Sequence, residues 1–159
     1  MALRNTSLLF SQLEQLKEHI PQQEAFSNTV SKSPVGWHIE HTLLTINQVI
    51  AAVKRSSPRD YKWTFNISRL VVLTTRKIPR GRAQSPSSVQ PGAFNSQTLH
   101  THAYVTGEHL KELMVLKEDK FFEHPFFGKL QLKATIRFLE IHTQHHLHII
   151  RDILNAPVK

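Results

Sequence analysis

A chain of 159 residues, at about 150 residues per domain, is one domain long enough to bury a core, and 20 Lys plus Arg against 12 Asp plus Glu leave it at +8. The absence of cysteine excludes a disulfide framework, a thiol nucleophile and any thiolate zinc site. No apolar run reaches the roughly 18 residues of a membrane span, while 11 histidines raise the prior for a metal and the charge raises that for an anionic partner.

The N-terminal residues have neither a continuous apolar stretch nor a small-residue cleavage site, so no secretory leader is expected and a cytoplasmic location is the default. Residues 5–31 are expected to form a first amphipathic helix, with Leu8, Leu9, Leu13, Leu16 and Ile20 on one stripe. Pro21 makes it one kinked helix or two short ones. After a loop at 31–36, Ser33 suits an N-cap with Pro34 at the first helical position. A second helix follows over about 34–54, its apolar face set by Ile39, Leu43, Ile46, Val49, Ile50 and Val53.

Residues 61–78 are less regular. Their β-branched content favours a strand, the lack of strand partners elsewhere favours a helix, and a short helix is expected. Residues 79–95 concentrate Pro, Gly and Ser into a long loop, and loops of that length inside compact domains tend to be functional or disordered. The run Arg76-Lys77-Ile78-Pro79-Arg80-Gly81-Arg82 opens it with the densest positive charge in the chain. A third long helix is expected over 96–117, then a loop through Phe121-Phe122-Glu123-His124-Pro125-Phe126-Phe127-Gly128, whose Phe pairs suit core or dimer contacts. The final helix, about 130–154, is the cleanest, with Leu132, Thr135, Leu139, His142, His146, Ile149 and Ile153 alternating steps of three and four. No internal repeat is visible, and four main helices with long connections make an all-α four-helix bundle.

The chemistry concentrates in the last helix. At about 100° per residue, His142 and His146 lie one above the other inside the apolar stripe, where two imidazoles can share one metal. His145 flanks that stripe and His148 points away from it. Packing alone is a poor reason to bury two imidazoles, since each unpaired polar group costs about 1–3 kcal/mol. A polar cleft, with both rings bonded to neighbours and water, is the plainer alternative. On the second helix His38 lies roughly 80° from the centre of the apolar face and His41 roughly 140° away. His38 is therefore the expected third ligand and His41 is expected in solvent. Glu40 stands beside them, with an angle that points outward.

Trp37-His38-Ile39-Glu40-His41 early in the second helix, followed about a hundred residues later by His142-x-x-x-His146, resembles the DinB/YfiT-like superfamily. His124-Pro125-Phe126-Phe127-Gly128 and Arg80-Gly81-Arg82-Ala83 resemble one uncharacterised bacterial branch of it. In order and spacing the resemblance covers essentially the whole chain. It implies a four-helix bundle, a homodimer, and a divalent ion, nickel or zinc, held by His38, His142 and His146, with His41 a competing histidine. Family relatives include transferases and isomerases that use a low-molecular-weight thiol, with a metal-bound thiolate or water as nucleophile.

Three neutral histidines leave a metal its full charge, which lowers the pKa of a bound water or thiol. The leading expectation is a metal-dependent transferase or hydrolase acting on a small molecule, with Lys77, Arg80 and Arg82 as candidates to recognise its carboxylate or phosphate. Solvated loop charge is the plainer reading of those cations. A non-catalytic metal-binding or stress-related protein is the alternative. Nucleic-acid binding accounts for the charge but not the histidines, and the basic residues are spread along the chain without a nucleic-acid motif. No Gly-x-Ser-x-Gly elbow supports a serine hydrolase.

Overall fold

A computed structural model describes residues 6–81 and 84–157, so Arg82 and Ala83 of the basic loop lie outside the described residues. Among the described residues, five α-helices and one β-hairpin carry the fold, with three single 3-10 turns between them: α1 (Ser7–Glu18), α2 (Val35–Arg55), α3 (Ile67–Thr75), α4 (Ser96–Met114), β1 (Phe121–His124), β2 (Gly128–Gln131) and α5 (Leu132–Asn155). The fold is mostly helical, and α1 and α2 each pack against both α4 and α5. Leu9, Leu13 and Leu16 of α1 meet Ile39, Leu43, Ile46 and Ile50 of α2, Leu99 and Leu110 of α4, and Leu139, Leu147 and Ile150 of α5 in one core. Among the described residues no helix is long and apolar enough to cross a membrane.

The first helix stops earlier than its stripe suggests. Beyond Glu18 only a single 3-10 turn, Ile20–Gln22, continues it, and residues 23–31 are not helical. Pro21 has no N–H to donate, and its ring opposes the preceding turn. The chain instead folds back on α2, with Gly36 N–H donating to the Gln23 carbonyl at 2.8 Å and Val35 N–H to Ala25 at 2.9 Å. Ser33 does not cap α2: Pro34, extended at φ −73° and ψ 168°, occupies that position. Gly36 is required by this approach, because a Cβ there would lie 2.4 Å from Phe94 Cε2 and 3.1 Å from the Gln23 carbonyl oxygen. Gly36→Ala is therefore expected to cost about 1–3 kcal/mol, read as a lower urea midpoint at unchanged m.

Helix α3 is present where the β-branched stretch left helix and strand in competition. Asn66 Oδ1 accepts the Arg69 N–H at 2.8 Å to start it, and Arg76, left-handed at φ 58°, ends it. Helix α4 opens on a reciprocal cap between Asn95 and Thr98. The segment expected as a loop at 121–128 contains a strand, because its four residues pair antiparallel with residues 128–131, Phe121 opposite Gln131 and His124 opposite Gly128. His124 organises the turn: its Nδ1 accepts the N–H groups of Phe126 and Phe127 at 3.0 and 3.2 Å. Gly128 closes the turn at φ 69°, a conformation that favours glycine. This hairpin runs from the C-terminal end of α2, where Phe121 N–H bonds Ser56 Oγ, to α5, where His124 rests on Phe138.

Candidate metal centre

Helix α2 buries two faces. Ile39, Leu43, Ile46, Ile50 and Val53 look into the core, while His38, His41, Thr45 and Val49 are buried on a second side that faces residues 78–81 and 84–89 and α5. His41 is only 2% exposed, which overturns its expected place in solvent. The long loop supplies the reason: the Val89 carbonyl accepts a hydrogen bond from His41 Nδ1 at 2.8 Å. A carbonyl only accepts, so Nδ1 carries the ring proton and Nε2 presents its lone pair. Trp37 stacks on the other side of the ring, centroids 5.0 Å apart and planes 11° from parallel.

Helix α5 brings its pair to the same place. The rings of His41, His142 and His146 stand 4.7–5.2 Å apart, centroid to centroid. Each offers one ligand nitrogen, and those three atoms lie within 4.8 Å of one another, close enough to hold a metal ion. His41 Nε2 faces His142 Nε2 at 3.3 Å. Of the residues expected from sequence, His142 and His146 are in this group and His38 is not. His38 stands immediately beside it, its Nδ1 3.0 Å from His146 Nδ1 and its Nε2 2.9 Å from Ser31 Oγ. His145 is half-buried on the flank, with its ring 5.1 Å from that of His146. His148 is exposed and bonds Gln144.

The electrostatics suit a neutral donor set. Burial lowers the pKa of His142 and His146 well below the ordinary value, and neighbouring histidines push the same way. His41 is lowered by burial, with the Val89 carbonyl pulling back. Burial brings His38 and His145 to about 4, and the Arg80 charge adds to both. All five imidazoles are thus uncharged at neutral pH, the form that binds metals. His142 Nδ1 is buried without a hydrogen-bond partner, so the ring has coordinating capacity that the protein does not use. A divalent ion fits these residues on both counts.

The cluster opens on a cleft of about 970 Å³ between α2, α5, the hairpin and residues 78–81 and 84–89. Arg80 lines it and pairs with Asp152 at 2.7 Å; Lys77 does not line it. Glu40 points elsewhere, accepting from His102 Nδ1 of α4 at 2.9 Å, and is not among the lining residues. The cleft's carboxylate, among the described residues, is Glu123 on β1. Sequence reasoning missed Glu123, because its place in the cleft depends on a hairpin too short to show an alternating pattern. No family model, curated protein or solved structure matches the chain.

Proposed function

We propose that this chain is a DinB/YfiT-like metalloenzyme, a metal-dependent transferase or hydrolase whose divalent ion, nickel or zinc, is held by His41, His142 and His146. The observation that carries this reading is three neutral imidazoles from two helices converging within 4.8 Å and lining an open cleft. Three protein ligands with an open side are the pattern of a catalytic rather than a structural site. A divalent ion in this place supplies a positive charge that lowers the pKa of a bound water or low-molecular-weight thiol. The chain's own residues set the surroundings: the Val89 carbonyl fixes the tautomer of His41, and Trp37 stacks on its ring. Elemental analysis of untagged protein tests the reading, with about one nickel or zinc per chain expected from a single three-ligand site. Protein that stays metal-free after incubation with either ion would remove it.

The homodimer implied by the resemblance has a surface suited to it. Trp63, Phe65, Ile67, Leu70, Val71 and Phe126 are each more than half exposed. Asn66 bonds the Phe126 carbonyl, which ties the hairpin turn to the start of α3. Single exposed apolar residues are ordinary, whereas five within nine residues of sequence, tied to a sixth through the hairpin turn, suit a contact with a second copy of the chain. Sedimentation velocity is expected to show a dimer that Leu70→Glu converts to monomer with its helicity unchanged. A monomeric parent protein would overturn this assignment.

A further inference from the structure

The residues of α2 that line the cleft include His38, His41, Thr45, Val49, Ala52 and Arg55, one face of the helix from near its start to its last residue. At 1.5 Å per residue, the 17 steps from His38 to Arg55 make the cleft a groove about 25 Å long. The histidine cluster occupies only one end of it.

The two parts differ in chemistry. Lys32 and Arg80 line the groove together with the cluster's histidines. Arg80 is near enough to His38 and His145 to act on both charges. Its partner Asp152 is not among the lining residues, and Lys32 has no ion pair among the described residues. Farther along α2, Val49 and Ala52 line the groove together with Phe122 and Phe127 of the hairpin, an apolar stretch. Arg55 and Glu123, one charge of each sign, also line it, with no ion pair between them among the described residues.

Burying an apolar body is worth about 0.8 kcal/mol per methylene, and an anionic head gains charge-assisted hydrogen bonds from Lys and Arg. We infer that the groove takes an amphipathic anion, its carboxylate or phosphate head beside Lys32, Arg80 and the histidine cluster and its apolar tail along α2 between Val49, Ala52 and the phenylalanines of the hairpin. This deepens the metalloenzyme reading and rests on it for which end of the ligand reacts.

Calorimetric titration of the metal-loaded full chain with decanoate, decyl phosphate, decylamine and butyrate tests it. Decanoate and decyl phosphate are expected to bind at least about tenfold more tightly than decylamine, a difference of one charge-assisted contact. Ala52→Trp, placed in the tail channel away from the cluster, is expected to weaken decanoate by about tenfold and leave butyrate unchanged. Lys32→Gln is expected to weaken decanoate and butyrate alike. Equal binding of decylamine and decanoate overturns the head-group assignment. Full decanoate affinity in folded Ala52→Trp overturns the tail path, and no binding of either decyl anion overturns both. Metal content of every sample, measured separately, distinguishes these outcomes from failure of the metal site itself.

Discussion

Alanine at His41, His142 or His146 is expected to weaken divalent-metal binding by more than about a hundredfold, the most that removing a residue merely supporting a ligand costs. Each substitution deletes one of the three nitrogens that lie within 4.8 Å of one another, and two imidazoles on a helix turn make a much poorer site. His38→Ala is expected to keep the stoichiometry and lose only about ten- to a hundredfold in affinity, since His38 touches the ion's surroundings through His146 Nδ1. Competition with a metallochromic chelator measures all four on one scale. Circular dichroism on each apo variant separates loss of ligand from loss of fold, a needed control because His41→Ala also strands the buried Val89 carbonyl. Retention of metal by His41→Ala together with its loss from His38→Ala would reverse the assignment and restore His38 as the third ligand.

Periodicity gave α5 its site because one face of that helix meets everything that matters. The stripe from Leu132 to Ile153 is buried or half-buried along its length, so the two histidines inside it were legible as a pair. Helix α2 was harder for a physical reason. A single hydrophobic face predicts a single buried side, yet 12 of its 21 residues are buried, among them the polar His38, His41, Thr42 and Thr45. Nothing local to Trp37-His38-Ile39-Glu40-His41 states that Val89, 48 residues on, will bring a carbonyl to His41. The same holds for Glu40, whose partner His102 lies 62 residues away on α4, and for Glu123, carried into the cleft by a hairpin of four-residue strands. Ordinary helix boundaries, by contrast, are set by neighbours in sequence. The caps Asn66 and Asn95 and the break at Pro21 act within a few residues, and α3, α4 and the end of α1 follow from them.

Acidification is expected to unfold the apo protein in the window between about pH 6.5 and 4. Six buried or half-buried histidines, His38, His41, His124, His142, His145 and His146, have folded-state pKa values below the ordinary one, with burial the first cause in each. In the unfolded chain they titrate near 6.5, so as pH falls below that value the unfolded state binds protons that the folded state refuses. Stability is therefore full above the unfolded pKa and is lost as pH drops toward the folded one, about 4 for His38, His124 and His145. A shift of that size is worth about 3 kcal/mol per group, and two or three such groups rival the whole stability of an ordinary domain. Glu140, raised by burial, works in the opposite sense but is one group against six. Urea melts across this window are expected to lose about 1.4 kcal/mol per pH unit for each extra proton, and His145→Gln should remove one proton's worth of slope. A metal ion binds only the folded, deprotonated cluster, so the loaded protein should hold to lower pH. A urea midpoint that stays flat from pH 7 to 4.5 would show that these histidines are accessible and already titrated in the native state.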